Sequence, residues 1–253
     1  MWRKILELLP GAWVGWAEYH FRPSIGGYGI LNGQEGRRAL FEDIIEQFQC
    51  DAIIETGTYK ASTTLYFSQF AETVISLESS SRYFTYARLR TVNVKNIEIL
   101  RGFSEELLPK ILRRPDLREK RIFFYLDAHW GGTLPLRREL TAIAELTRDN
   151  LIMIDDFEIP GDSGYRFDDY GGTDRLDLSY LRRLDLGRDL FVFFPTIASA
   201  EETGFRQGYC LATNSSDVAS LLRRNKSVEP AEIRLARIGT GATASPTLAA
   251  GGT

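Results

Sequence analysis

At 253 residues, 43% hydrophobic and 26% charged, the chain is long enough to bury one sizeable α/β core and has the balance of a soluble globular protein. Its 31 Lys and Arg against 34 Asp and Glu leave a formal charge of −3, which argues against the concentrated basic surface of a nucleic-acid binder. No apolar run reaches the length of a membrane span, and Cys50 and Cys210 form no CxxC pair, so neither a zinc site nor a disulfide framework is indicated and a reducing, cytoplasmic setting is expected.

Residues 1–33 carry Trp2, Trp13 and Trp16 among apolar neighbours, interrupted by Glu7, Pro10 and Glu18. The segment lacks the core and cleavage site of a signal peptide. It is expected to be a cap on the domain or an interface to a second copy, in preference to a peripheral membrane anchor. A glycine-rich loop, Pro23 to Gly29, follows. Leu40, Phe41, Ile44, Ile45 and Phe48 then form one helical stripe, so Gln34 to Phe48 reads as a helix leading into the first strand.

Residues 34–225 then alternate regularly, and this span is expected to be the catalytic or binding domain. Short apolar runs predict strands at Ala52–Glu55, Thr73–Leu77, Ile97–Leu100, Arg121–Leu126 and Leu151–Ile154. Helical patterns lie between them, at Ser62–Phe70, Arg82–Val92, the segment opened by Ser104, and Thr133–Arg148. That alternation predicts a doubly wound Rossmann-like α/β sheet, mostly parallel. Phe157 to Thr173, rich in Gly, Asp and Tyr, has no periodicity and reads as a long functional loop or lid. A helix near Asp174–Leu184 follows, and strands at Leu190–Phe194 and Gly208–Ala212 suggest an antiparallel edge hairpin. Asp217–Arg223 reads as a short helix. Residues 226–253 read as a tail, disordered from about Gly239.

In an open α/β sheet the ligand lies outside the carboxyl ends of the strands. The five strands there deliver Glu55 and Gly57, then Glu78, then Gly102 and Ser104, then Asp127 and His129, then Asp155 and Asp156. A sheet built for stability alone needs no such row of acids. Gly57 suits a tight turn and lets a ligand approach the main chain. Glu78, 21 positions on, has the spacing at which an acid accepts hydrogen bonds from a ribose diol; a helix-start carboxylate is the plainer alternative. The loop Gly57-Thr58-Tyr59-Lys60-Ala61-Ser62 lacks the second glycine of GxGxxG, having bulky Tyr59. That disfavours a pyrophosphate and favours a nucleoside without phosphates.

With these residues the chain resembles the class I S-adenosylmethionine-dependent methyltransferases, from about Gly29 to Thr213. The first motif appears as Glu55-Thr-Gly57-Thr-Tyr59-Lys-Ala61-Ser62. YLDAHWGGTLPLRREL and IMIDDFEIPGDSGYRFDDYGG are the most specific stretches, and are similar to small-molecule O-methyltransferases of the macrocin and mycinamicin type. The resemblance implies strand order 3-2-1-4-5-7-6 and S-adenosylmethionine held by Glu55, Gly57, Thr58, Tyr59, Ser62, Glu78, Ser104 and Asp127. The acceptor it implies is a small molecule, a sugar or natural-product hydroxyl.

Three carboxyl groups at Asp127, Asp155 and Asp156 would repel one another unless a cation or protons intervene. Mg²⁺ is the simplest answer, as in metal-dependent relatives of catechol methyltransferase type, where such an ion activates the acceptor hydroxyl. His129 is a candidate base beside Asp127, with metal ligation or a structural hydrogen bond as competing roles. Trp130, Phe157, Tyr165 and Tyr170 are expected to wall the acceptor pocket. An NAD(P)-dependent oxidoreductase of similar topology and a non-catalytic nucleoside-binding protein are the alternatives.

Overall fold

The computed structural model describes residues 10–21, 29–129 and 134–239. Trp130, the glycine-rich loop up to Tyr28 and the tail beyond Gly239 lie outside the described residues.

The strands are β1 (Ala52–Thr56), β2 (Thr73–Glu78), β3 (Ile97–Arg101), β4 (Ile122–Leu126), β5 (Asn150–Ile154), β6 (Phe191–Pro195), β7 (Cys210–Thr213) and β8 (Val228–Pro230). They form one sheet in the order β3-β2-β1-β4-β5-β7-β6-β8. The first five pair in parallel, and β7 enters antiparallel between β5 and β6. Strand β8 comes from the segment read as a tail and pairs antiparallel with β6, a contribution too short to show as an apolar run.

Helices are named in chain order: α1 (Gly11–Phe21), α2 (Glu35–Phe48), α3 (Ser62–Phe67), α4 (Ser81–Thr91), α5 (Ser104–Ile111), α6 (Leu136–Leu146), α7 (Leu178–Arg182), α8 (Ser216–Arg224) and α9 (Ala231–Gly239). Strand side chains alternate between faces, so each apolar run feeds two cores. Ala52, Ile54, Phe124, Leu126, Ile152 and Ile154 point to one, closed by Leu108 and Ile111 of α5 and Leu136, Leu140 and Ile143 of α6. Ile53, Val74, Phe123, Tyr125, Leu151 and Met153 point to the other. There Leu40, Phe41, Ile44, Ile45 and Phe48 of α2, with Val218 and Leu222 of α8, complete the packing. Burial on both faces explains why these strands read as continuous hydrophobic runs.

Helix α1 lies across α4. A Cβ at Gly15 would stand 2.0 Å from the Arg82 carbonyl oxygen, so the crossing requires a glycine. The Arg82 Nε donates to Glu18 at 2.8 Å, and Tyr19 meets Tyr86 edge-on at 5.7 Å. No helix among the described residues is long and apolar enough to cross a membrane.

Candidate functional site

The five parallel strands end at one rim, where all but β3 release an acid, and its two halves are built differently. In the β1–β2 half, Gly57 has φ 90°, and a Cβ there would stand 2.2 Å from the Asp127 carbonyl oxygen. The turn is therefore pressed against the end of β4 and only glycine fits. Its amide donates to the Leu77 carbonyl at 2.9 Å. Tyr59 and Ala61 also take left-handed backbone angles, at a cost of about 1 kcal/mol or more each.

The acids of this half stabilise the loop. Glu55 is 1% exposed; its Oε2 accepts from the Thr64 hydroxyl and from Ser76 Oγ at 2.5 Å. Burial pushes its carboxyl up to about 7, against the pull of those two hydroxyls. Glu78 Oε2 accepts from the Tyr59 amide at 2.8 Å and Oε1 from the Ser80 amide at 2.7 Å. Burial raises the Glu78 carboxyl, opposed by those backbone bonds. The Ser62 hydroxyl accepts from Arg90 at 2.9 Å, and Thr58 Oγ1 lies 2.6 Å from Ser76 Oγ. Glu55, Thr58, Ser62 and the buried Glu78 thus brace the loop, while Gly57 is partly exposed and Tyr59 forms its surface. Tyr59 is exposed and its ring lies 4.5 Å from that of Tyr83.

At the end of β3, Ser104 opens α5 and is buried with Glu139 of α6. Burial pushes the Glu139 carboxyl up to about 7, with the Ser104 and Thr56 hydroxyls opposing. Phe103 just before it is 55% exposed. This apolar ring at the carboxyl end of β3 escaped the sequence reading, and its only signal is an aromatic residue in a strand-to-helix turn.

In the β4–β5 half the residue that organises the acids is Arg37 of α2. It is fully buried and forms a salt bridge to Asp155 Oδ1. Asp155 also accepts from the Asp156 amide at 2.8 Å, Asn32 Nδ2 at 2.9 Å and the Tyr125 hydroxyl at 2.5 Å. Although burial works against ionisation, Arg37 and these donors hold the Asp155 carboxyl below the usual range. The guanidinium lies 4.1 Å from the centre of the Tyr209 ring. Arg37 escaped the sequence reading too, yet it stands three and four positions before Leu40 and Phe41, on the buried stripe itself.

Asp156 has φ 52° and accepts from the Gln207 side chain. Burial, then Asp155 and Asp168, push its carboxyl up to about 7. Asp127 is partly exposed, and burial together with Asp155 and Asp156 raises it well above the usual carboxylate value.

These facts correct the metal assignment. Among Asp127, Asp155 and Asp156, the charge of Asp155 is already met by the Arg37 guanidinium. Both Asp155 oxygens are taken by protein donors, and no group of three or more acidic, histidine or cysteine side chains among the described residues has the geometry to hold an ion. The three aspartates do not fit Mg²⁺ as a ligand set.

His129 is 2% exposed, and neither ring nitrogen makes a hydrogen bond among the described residues. Burial lowers it to about 4, so it is neutral near pH 7. Of the expected acceptor wall, Tyr170 stands at the rim, donating to Asp168 Oδ2 at 2.6 Å or to the His129 carbonyl at 3.0 Å. Phe157 is not at the rim: its amide binds the Gly208 carbonyl at 3.0 Å, which draws the ring into the core against Phe194 at 6.2 Å. Tyr165 is likewise a core residue, its hydroxyl on the Ile197 carbonyl at 3.3 Å. The 157–173 segment is therefore anchored, and Asp162 ties it to the Ser199 amide at 2.8 Å. A cleft among Arg118, Thr147, Arg188 and Ser215 lies at the opposite rim, and none of the strand-end acids lines it.

No protein-family model matches the chain, and no curated protein matches it. Solved structures do share its fold. The O-methyltransferase TomG from Streptomyces achromogenes, involved in tomaymycin synthesis and crystallised with SAM, superposes with a TM-score of 0.54 at 16% identity, over 85% of this chain and 95% of TomG. An O-methyltransferase from Bacillus cereus in complex with SAH gives a TM-score of 0.54 at 14% identity, over 80% of this chain and 97% of its own. At these identities the likeness is one of fold.

Proposed function

We propose that this chain is an S-adenosylmethionine-dependent methyltransferase acting on an oxygen nucleophile of a small hydroxylated acceptor. The observation that carries the reading is the Gly57 turn, held against the Asp127 carbonyl at the carboxyl end of β1, with Glu78 bonded to the Tyr59 amide of the same loop. A turn so placed can seat the amino-acid end of a nucleoside ligand on backbone groups. Glu78 retains lone pairs for a ribose diol beyond its two amide bonds. The exposed Phe103 and Tyr59 rings offer apolar faces for a purine.

Bound S-adenosylmethionine supplies an electrophilic methyl group: a C–O bond forms as the C–S bond breaks, the sulfonium becomes a thioether and the acceptor loses a proton. Asp127 is the better candidate to take that proton. It is partly exposed and its raised carboxyl is a stronger base than an ordinary aspartate. His129, with a value near 4 and no exposed edge, is a weak base, and its place next to Asp127 suits a neutral packing role. Asp156 and Tyr170 border the remaining space and are proposed to meet the acceptor.

Calorimetry tests the reading: the protein is expected to bind S-adenosylhomocysteine and not NAD. Tight NAD binding without S-adenosylhomocysteine binding would reveal an oxidoreductase. Homocysteine-form binding with no product across a broad panel of hydroxylated acceptors would favour a non-catalytic nucleoside-binding protein.

A further inference from the structure

The acids at the ends of β4 and β5 already have a cation of their own. Arg37 is fully buried, and its position is fixed from three sides. Its guanidinium bonds Asp155, it stacks on Tyr209 at 4.1 Å, and the carboxylate of Glu202 accepts from the amides of Gly36 at 2.9 Å and Arg37 at 3.0 Å. The helix start that carries Arg37 is thereby pinned before its side chain reaches the rim. Asp155 cannot turn toward a metal ion without releasing Arg37, Asn32 and Tyr125 together. A buried guanidinium released in that way would be left uncompensated, a costly state.

We infer that the Arg37 guanidinium is the resident cation of this rim, holding the place that a divalent ion would otherwise take, and that the rim therefore binds no divalent ion. Arg37 acts through Asp155 and is a positioning residue: it fixes one carboxylate and leaves Asp127 and Asp156 to face the acceptor space. A fixed charge and a metal ion neutralise the same acids, but they differ in chemistry. The guanidinium offers no open coordination position to a hydroxyl oxygen, so the acceptor proton must leave to a protein group. The consequence for turnover rests on the methyl-transfer reading; the ion-binding claim does not.

Mn²⁺, a hard cation visible by electron paramagnetic resonance, is the probe. Titrated with the full chain, wild-type protein is expected to leave the free Mn²⁺ signal undiminished up to about millimolar concentration, whereas Arg37→Ala is expected to gain one bound ion. Adding Asp155→Asn to Arg37→Ala is expected to abolish that gain. Mn²⁺ bound by the wild type and lost on Asp155→Asn would overturn the inference. So would a folded Arg37→Ala that acquires no ion. If circular dichroism shows Arg37→Ala unfolded, Arg37→Met takes its place, and the wild-type titration decides the matter alone. S-adenosylhomocysteine calorimetry on the same samples reads the cofactor claim separately.

Discussion

The two halves of the rim use carboxylates in opposite ways. Around β1 and β2, Glu55 and Glu78 are occupied by nearby partners: hydroxyls of Thr64 and Ser76, amides of Tyr59 and Ser80. Those partners lie within about one strand–loop–strand unit, and the result is a rigid seat. Around β4 and β5, Asp155 is held by Arg37, which is 118 positions away, and Asp156 by Gln207, which is 51 positions away. The first half stabilises a backbone shape. The second stabilises a charge pattern, and it leaves the partly exposed Asp127 and Asp156 with raised carboxyls. On the methyl-transfer reading proposed above, a seat for the nucleoside and a rim that moves a proton would place different demands on the same residue type.

The comparison breaks most visibly at Arg37. Arg37→Ala leaves Asp155 buried and unpaired, and urea denaturation is expected to show a loss of about 3–5 kcal/mol. The double variant Arg37→Met with Asp155→Leu is expected to recover much of it. A single-variant loss under about 1 kcal/mol would mean that solvent replaces the pair.

Glu139 tests the first half from beneath. Its folded value, about 7, lies above the unfolded 4.5, so the folded state holds the proton more tightly. The stability this confers is fully present below pH 4.5 and is lost as pH rises through 7. Glu139→Gln should remove that decline, gaining up to about 3 kcal/mol over wild type at pH 8 and little at pH 4. Melting curves across that range check it; a gap independent of pH would place the carboxyl in water.

The smallest effect is expected at Glu78. Glu78→Gln keeps an acceptor for the Tyr59 amide but removes the charge, and S-adenosylhomocysteine affinity should fall about tenfold, roughly 1.4 kcal/mol. Unchanged affinity with a lowered melting temperature would make Glu78 a loop brace alone.

How far the sequence could be read follows the same division. Strands buried on both faces announce themselves as apolar runs, so β1 to β7 could be anticipated, while their order was implied by the resemblance to the methyltransferases. Gly57 and Glu78 were legible because a turn and a following strand end are local matters. Arg37 was not, since an Arg37-Arg38 pair at a helix start looks solvated, and only the phase of the Leu40-Phe41 stripe shows that Arg37 faces inward while Arg38 does not. Asn32 and Gln207 carry no signal without their partner. Phe157 and Tyr165 misled because aromatic residues in an irregular segment can wall a pocket or pin the segment to the core. Their backbone ties to Gly208 and Asp162 decide for the core, and neither tie has a local signature.

One contact has a consequence for the order in which the molecule is built. Glu202, in the loop between β6 and β7, caps the helix that carries Arg37, and the Phe205 amide donates to the Asn32 carbonyl at 2.9 Å. Strand β7 must also arrive before β5 has a neighbour on its outer edge. On the ribosome, the Gly57 loop can therefore bond Ser76 and Glu78 while the chain is still short. The charged rim waits for residues near position 210, long after Arg37, Asp127 and Asp155 have been made, and until then those acids face water on an unfinished sheet edge.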